Sequence, residues 1–333
     1  MKSREPRVES REAAPAEGGP GVSQSLSSVA QAGAIPVCRG TGRRNPQSRG
    51  SGASPWHDAL RRLCKNRLAM VSLTVLTVFV MAALLAPWIA PLPFDKTNLR
   101  YGAKQPTRTH VLGTDELGRD LFTRILYGAR ISFAVGILAT LVSLTIGVTY
   151  GSIAGLVGGR VDHLMMRVVD ILYGLPFMFF VIILMVIFGR NILNLFIALG
   201  AVQWLTMARI VRGQVLSLKT REFVLSAQAI GASPRRLLTR HVLPNALGPI
   251  VVYATLTVPA VMLEEAFLSF LGLGVQPPMA SWGSLASEGA AAMEAYPWLI
   301  LFPGMTLTVT LLSLNFLGDG LRDALDPQIS SYR

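Results

Sequence analysis

The sequence predicts an all-α integral membrane protein with six transmembrane helices. Of its 333 residues, 51% are hydrophobic and 15% are charged, whereas soluble domains carry about a quarter charged residues. The apolar residues are gathered into runs near the length of about 20 residues that a helix needs to cross a bilayer. Lysine and arginine cluster between some of these runs and are absent between others, which is typical of loops on opposite sides of a membrane.

The chain before the first apolar run divides into two parts. Residues 1–55 are rich in Arg, Ser, Gly, Pro and Ala, lack apolar periodicity and predict a disordered cytoplasmic tail. Residues 56–67 predict a short amphipathic helix at the membrane surface. Basic residues immediately precede the first run, so we expect the N-terminus in the cytoplasm, and six spans then place the C-terminus there as well. The predicted spans are residues 68–90, 131–157, 166–188, 191–211, 247–271 and 297–317.

Two connections between spans are expected on the outer side of the membrane. Residues 91–130 form a polar connection, and Asp120–Arg130 within it has the pattern of an interfacial amphipathic helix. This connection holds seven Lys and Arg residues, which runs against the preference of basic loops for the cytoplasm. Residues 275–296 contain neither, and Trp282 and Trp298 suit the membrane interface.

The second and third spans carry signals for packing and bending. Gly147, Gly151 and Gly155 recur at every fourth position of the second span, which favours close packing against another helix in lipid. The string GGRVDHLMMR predicts a short loop that leads into the third span. Pro176 predicts a kink within that span.

The longest basic amphipathic segment in the hydrophobic two-thirds of the chain comprises residues 220–245. Its pattern predicts a helix over 222–230 and a turn over 231–234. A second helix is expected over 235–242 and is expected to stop before Pro244, because a residue that precedes proline disfavours the helical conformation.

The turn within residues 220–245 has its own local chemistry. Gly231 can adopt a positive φ and end the first helix. Ser233 suits the N-cap of the second helix, and Pro234 suits its first position. By pattern alone, such a segment is also compatible with a basic cytoplasmic loop that only sets the topology of the chain.

Residues 220–245, called the coupling segment from here on, resemble the coupling loop of ABC-importer permease subunits. That loop reads Glu-Ala-Ala, three residues, Gly, nine residues, then Ile-x-Leu-Pro, and the chain has Leu225-Ser226-Ala227, Gly231 and His241-Val242-Leu243-Pro244 at the same spacing. The second Ala, the Gly and the Leu-Pro match, whereas the Glu, the first Ala and the Ile are replaced. The resemblance implies that this segment docks into a groove on a cytoplasmic ATPase, where small residues permit close approach.

Two further strings resemble the second, or C-type, permease of oligopeptide, dipeptide and nickel importers. Gly113-Thr114-Asp115 and Gly118-Arg119-Asp120 match its N-terminal module, which implies a periplasmic position for the connection that contains them. Residues 265–274 match a motif at the end of the fifth span. Peptides, nickel chelates, opines and glutathione are cargoes of similar permeases, and the sequence does not distinguish among them.

The resemblance covers about residues 56–333 and implies the type I ABC importer permease fold in a bacterial inner membrane. An N-terminal module occupies 56–130, and a transmembrane domain with the coupling segment occupies 131–333. The implied partners are a second permease chain, two ATPase subunits, an extracytoplasmic substrate-binding protein and the lipid bilayer. ATP binding to the ATPases would then favour one of two packings of the helices and give alternating access. The residues expected at the ATPase contact are Ala227, Ile230, Gly231, Ala232, Ser233, Pro234, Arg235 and Pro244.

Three acidic residues lie within the predicted spans, where carboxylates are costly and are usually paired or functional. Asp170 is a candidate for the pathway or for a subunit contact, and the alternative, which we expect, is a structural pair with Arg167, three residues earlier on the same helix face. Glu264 and Glu265 have two interpretations of equal standing. They line a substrate path, bind the amino terminus of a peptide or pair with a partner subunit, or one of them is a protonated, hydrogen-bonded Glu that holds helices together.

The sequence contains no signature of catalysis or nucleotide binding. None of its five lysines follows Gly and precedes Ser or Thr, as a phosphate-binding P-loop requires. ATP hydrolysis is therefore assigned to partner subunits. Cys38 and Cys64 form no disulfide framework or metal spacing, and no cofactor is implied. We interpret the net charge of +12 as a topology signal rather than as nucleic-acid binding. Two alternative functions remain open. One is a proton-coupled carrier that uses Glu264 and Glu265, and the other is a membrane enzyme that acts on lipid.

Overall fold

The computed structural model describes residues 55–90, 92–189 and 191–325, and the secondary-structure elements in these ranges are helices. The predicted disordered tail lies outside the described residues except for Pro55. The elements are α1 Pro55–Lys65, α2 Arg67–Leu84, α3 Ala86–Ile89, α4 Leu121–Val157, α5 Gly159–Tyr173, α6 Phe177–Phe188, α7 Ile192–Lys219, α8 Glu222–Ala229, α9 Pro234–Leu237, a π-helical turn Leu238–Val242, α10 Leu243–Phe270, α11 Trp282–Ala291 and α12 Trp298–Leu325.

The membrane-spanning helices agree with the predicted fold class. Within the described ranges, five helical segments are long and apolar enough to cross a bilayer: α2, α4, α7, the continuous segment from α9 to α10, and α12. A sixth span is formed if α5 and α6, which meet at a bend of 86°, are counted together. Helices satisfy their backbone hydrogen bonds internally, and this is why apolar runs of such length become helices in lipid.

The start of the chain differs in detail from its prediction. The amphipathic helix α1 forms as expected, and its buried face packs against α12 through Leu63 and Ala324. The first span was predicted to reach residue 90, but α2 ends at Leu84 and a separate short helix, α3, follows. Pro87 lies in the first turn of α3, where a proline without an N–H is tolerated.

The separate interfacial helix predicted at Asp120–Arg130 is wrong. Asp120 is instead the N-cap of α4, a single helix of 37 residues that continues through the second span, and its carboxylate accepts a hydrogen bond from the Thr123 N–H. The first turns of α4 are buried against Trp282 and its neighbours in one core cluster. Tertiary packing therefore extends the helix well past the membrane-length run. The predicted end at Val157 is confirmed.

Close packing of α4 against α7 is confirmed at the three glycines of the second span. A Cβ atom on Gly147 would lie 2.6 Å from the Met207 Cβ, and one on Gly155 would lie 2.8 Å from the Val215 Cβ. A Cβ on Gly151 would collide with the carbonyl oxygen of Ala208. The small-residue spacing therefore lets the two backbones approach to a distance that no larger side chain allows.

The loop predicted from the string GGRVDHLMMR is wrong, because most of that string is helical. Gly158 and Gly159 have φ values of 70° and 56°, and they turn the chain from α4 directly into α5. Glycine adopts such angles without steric cost, so two residues are enough for the reversal. The kink predicted at Pro176 is confirmed, since α5 ends at Tyr173 and α6 leaves at 86°.

The two tryptophans predicted at the membrane interface are buried instead. Trp282 is 1% exposed, and its Nε1–H donates to the Ile125 carbonyl at 3.0 Å. Trp298 donates to the Thr114 carbonyl at 3.3 Å. Both indole groups therefore join the end of the bundle where α4 and α12 begin. Burial with a satisfied N–H is the usual arrangement of a core tryptophan.

Candidate functional site: the coupling segment and the membrane acids

The first helix of the coupling segment, α8, has one face attached to the bundle and one face exposed. Val224 and Ala227 are buried in a cluster with residues of α7 that include Val211 and Val215. Phe223 and Ile230 are exposed, and Ile230 has 88% of its surface accessible. The attached face holds α8 in place, and the other face presents apolar side chains that the chain itself does not cover.

The turn after α8 is a Schellman motif, as the glycine predicted. Gly231 has a φ of 86° and donates its N–H to the Gln228 carbonyl at 3.0 Å. The Ala232 N–H donates to the Ala227 carbonyl at 3.1 Å, which completes the pair of bonds that defines the motif. The Ser233 hydroxyl then accepts from the Arg236 N–H at 3.4 Å. Pro234 occupies the first turn of α9, so the predicted turn is confirmed.

The predicted stop before Pro244 is wrong, because α9, the π-helical turn and α10 form one continuous helical segment. The π-helical turn widens the helix just before Pro244, where the proline ring would otherwise clash with the preceding turn. The Asn245 side chain donates to the His241 carbonyl at 2.6 Å and so provides a partner for a backbone group near the proline. The coupling segment is thereby joined rigidly to a membrane-spanning helix.

The residues expected at an ATPase contact differ in their exposure. Ala227 is buried against the bundle, and Ala232 is half-buried. Sequence reasoning missed Phe223 and Leu225, which are exposed. Phe223 and Ile230 are seven residues apart and so share one helix face, a spacing that is visible in the sequence. The expected contact residues that are exposed are Ile230, Gly231, Ser233, Pro234, Arg235 and Pro244.

The coupling segment follows directly from α7, and α7 is tied to its neighbours by polar contacts near that end. Lys219 donates to the Leu156 carbonyl at 2.6 Å, which joins the last turn of α7 to the last turn of α4. Arg212 donates from Nε and Nη2 to the two carboxylate oxygens of Asp162, at 2.5 and 2.6 Å. Such bidentate pairs fix geometry as well as charge. Helices α4, α5 and α7 therefore meet at the coupling end of the bundle.

The predicted pairing of Asp170 with Arg167 is wrong. Asp170 accepts from Arg209 Nη2 at 2.8 Å, so its partner lies on α7 rather than on its own helix. The Arg209 guanidinium also lies over the Tyr173 ring, 4.2 Å from its centroid. Because α5 runs beside α7, a cross-helix partner replaces the one that sequence spacing indicates.

The adjacent acids of α10 lie in different surroundings. Glu265 is 2% exposed, and it accepts hydrogen bonds from the Ser269 hydroxyl at 2.8 Å and the Ser281 hydroxyl at 2.6 Å. Ser281 is the N-cap of α11, so Glu265 ties the end of α10 to the start of α11. This geometry favours the interpretation of Glu265 as a residue that holds elements together.

Glu264 faces a cavity of about 460 Å³ that is bounded by α5, α6, α7 and α10. Its Oε1 atom accepts from the Gln203 side-chain amide at 2.7 Å. Its Oε2 atom is enclosed and has no hydrogen-bond partner among the described residues. Consecutive residues of one helix point in different directions, which explains why the two carboxylates do not share an environment.

The Gly-Thr-Asp and Gly-Arg-Asp strings build an ionic cluster at the opposite end of the bundle, in which Asp115, Arg119 and Arg124 are buried and Glu288 is 45% exposed. Asp115 accepts from Arg119 Nε at 2.6 Å and from Arg124 Nη1 at 2.8 Å. Arg124 also donates to Glu288 of α11 at 2.7 Å. The cluster joins the connection before α4 to α4 and α11. Sequence reasoning recognised the motif but did not predict this structural role.

Two family models match the chain. The family described as "Binding-protein-dependent transport system inner membrane component" matches residues 147–331, and "N-terminal TM domain of oligopeptide transport permease C" matches residues 54–106. The chain belongs to this family of permease subunits. It is therefore a multi-pass membrane component of a binding-protein-dependent transport system, as the resemblance in the sequence implied.

Individual members of the permease family are similar over most of the chain. The oligopeptide transport system permease protein OppC of Haemophilus influenzae is 51% identical over 279 residues, which cover 83% of this chain and 90% of the relative. The dipeptide transport system permease protein DppC of Bacillus subtilis is 47% identical over 82% of this chain and 85% of its own length. The glutathione transport system permease protein GsiD of Escherichia coli is 40% identical over 83% of this chain and 91% of its own length. The comparisons give no support to a proton-coupled carrier.

Proposed function

We propose that the chain forms, with a second permease subunit, the membrane pathway of an ATP-driven peptide importer. The partners in this proposal are two cytoplasmic ATPase subunits and an extracytoplasmic substrate-binding protein. The single observation that carries the coupling role is the coupling segment itself: α8 has an exposed apolar face, and the turn after α8 leads into α9, which is continuous with α10. Relatives with oligopeptide and dipeptide permease names support peptides as the cargo class.

The geometry supports a simple route for the transmission of force. A displacement of the Schellman turn at Gly231 moves α9, and α9 moves α10 because the two are one continuous segment. Val224 and Ala227 couple α8 to α7 through a buried cluster. An ATPase that binds one arrangement of these helices more tightly than the other shifts the whole bundle toward that arrangement.

The surface of the coupling segment suits a protein partner. Phe223, Leu225 and Ile230 are exposed apolar side chains on or next to α8, and grouped apolar residues on a polar surface are typical of interaction sites. Arg235 and Arg236 of α9, which follows in the chain, are also exposed. The concentration of basic residues also supports a cytoplasmic position for this end, which would place both termini on the same side.

The test of this proposal is the substitution Gly231→Asp in the full complex. A Cβ at Gly231 meets nothing within 4 Å, so the added side chain fits, and the cost to folding is the strain of a left-handed conformation, about 1–2 kcal/mol. We expect the variant to fold but to lose ATPase co-purification and ATP-dependent peptide uptake. Gly102→Asp is the matched control, because Gly102 also has a positive φ, 62°, and open space, but lies in the connection before α4.

Unchanged uptake by the Gly231→Asp complex would refute a coupling role for this turn. Equal losses in the Gly231 and Gly102 variants would assign the effect to folding rather than to docking. Uptake by the unmodified complex that survives ATP depletion but collapses with an uncoupler would favour a proton-coupled carrier instead.

A further inference from the structure

The cavity beside Glu264 lies at the point where the third span bends. Tyr173 and Pro176 border it at the bend, α6 contributes Phe180, and α7 contributes Gln203 and Thr206. The remaining lining is mostly apolar. A volume of about 460 Å³ lies within the range of cavities that hold small ligands, roughly 300–1,000 Å³.

The polar groups of the cavity are unequally satisfied. The hydroxyl groups of Tyr173 and Thr206 are hydrogen-bonded to each other at 2.7 Å. The carboxylate of Glu264 has one donor, the Gln203 amide, and its second oxygen has none among the described residues. A buried acceptor without a donor is costly, and most such groups in folded proteins are satisfied. Glu264, which borders the cavity, therefore has one enclosed oxygen without a donor among the described residues.

The described cations near this part of the bundle are already engaged elsewhere. Arg209 pairs with Asp170 and lies over Tyr173. Arg212 pairs with Asp162. A bound molecule that carries a charged donor would complete the hydrogen bonding of Glu264 without a competing cation from these two arginines. An ionised carboxylate only accepts hydrogen bonds, and it prefers charged donors, which give the stronger bonds.

We propose that Glu264 binds the protonated amine of the transported solute inside this cavity, with Gln203 as its positioning residue. The inference rests on the proposed transport function and names a contact along the pathway. The Glu side chain has a soft terminal torsion, so its second oxygen can turn toward the cavity when a donor enters. The apolar walls then surround the uncharged part of the solute next to the amine.

The experiment uses the complete complex, with its ATPases and binding protein, reconstituted in lipid vesicles. ATP-dependent uptake of labelled trialanine is compared with uptake of N-acetyl-trialanine, which lacks the charged amine. Glu264→Gln keeps the shape and removes the charge, Glu264→Asp keeps the charge, and Glu116→Gln, at an exposed acid outside the cavity, is the control. Assembly is followed by co-purification with the ATPase, and ATP hydrolysis is measured in parallel.

We expect Glu264→Gln to lower trialanine uptake roughly tenfold to a hundredfold, the range for loss of one hydrogen bond to a charged group. Glu264→Asp should retain part of the uptake, and Glu116→Gln should retain all of it. Any uptake of N-acetyl-trialanine should not change in Glu264→Gln. Equal trialanine uptake by Glu264→Gln and the unmodified complex would overturn the inference, and so would equal losses for the two peptides.

A second variant decides the matter if Glu264→Gln does not assemble. Ala201→Phe leaves Glu264 and Gln203 in place and fills the cavity with an apolar side chain of a type common in membrane proteins. Loss of uptake in the assembled Ala201→Phe complex supports the cavity as part of the pathway, and full uptake overturns it. Failure of the proposed function has a different signature, since the unmodified complex would then take up neither peptide.

Discussion

Replacement of Asp115 by Asn is expected to destabilise the end of the bundle opposite the coupling segment by about 3–5 kcal/mol, the range for breaking a buried ion pair. Asp115 is buried, and its carboxylate accepts bonds from the backbone N–H groups of Leu117 and Arg119 and from two arginine side chains. Asparagine keeps one oxygen for the backbone groups. Its amide nitrogen would face the guanidinium groups with a donor in place of an acceptor.

The magnitude follows from the bonds that are lost. Two charge-assisted hydrogen bonds, to Arg119 and Arg124, disappear, and each is worth roughly 1.5–3 kcal/mol. Arg124 is 2% exposed, so water does not replace its lost partner, although Glu288 still accepts from it at 2.7 Å. The residual pair with Glu288 keeps the expected cost at the level of one broken buried pair.

The assay is thermal unfolding of the purified complex, followed by tryptophan fluorescence. Trp298 reports on this region because its indole N–H donates to the carbonyl of Thr114, the residue before Asp115. At about 2–4 °C per kcal/mol, the expected decrease in Tm is roughly 6–20 °C. Glu116→Gln, at the exposed neighbouring position, should change stability by less than about 0.5 kcal/mol. A Tm decrease for Asp115→Asn no larger than that of this control would refute the reasoning.

Two further substitutions test the packing and the polar contacts of the bundle. Gly151→Leu should prevent assembly, because even a Cβ at this position collides with the Ala208 carbonyl. Gly213→Leu is the control and should assemble, because the space around Gly213 is open. Equal recovery of both variants after detergent extraction would contradict the packing of α4 against α7. Ser281→Ala should lower the free energy of unfolding by about 1–3 kcal/mol, because it removes the donor to Glu265 and the N-cap of α11. An unchanged melting temperature for the Ser281 variant would show that Glu265 does not depend on this contact.

The parts of the structure that the sequence predicted well are those that depend on local chemistry. The turn of the coupling segment follows from a glycine, a serine and a proline in the right order. Gly231 takes the left-handed conformation, Ser233 caps the next helix, and Pro234 begins it. Each of these preferences acts over three or four residues, so no knowledge of the distant chain is needed.

Three of the incorrect predictions depended on contacts between distant segments. Trp282 has the composition signature of an interfacial residue, but α4 covers it and accepts its N–H. Asp170 has an arginine one turn earlier, but Arg209 on α7 binds it. Asp120–Arg130 has the pattern of a surface helix, but burial against the core makes it the start of α4. In each case a neighbour that is remote in sequence outweighs the local pattern.

By itself, the sequence determined the membrane class, the approximate spans, the coupling segment and the family. Hydropathy, turn chemistry and motif spacing depend on residues that are close together in sequence, so they can be read without the fold. Only the tertiary structure decided which carboxylate holds the bundle together and which faces a cavity. Glu264 and Glu265 are adjacent and chemically identical, yet one meets two serine hydroxyls and the other meets Gln203 and an open volume. The physical reason is that successive side chains on a helix point about 100° apart, so packing partners on other helices assign their roles.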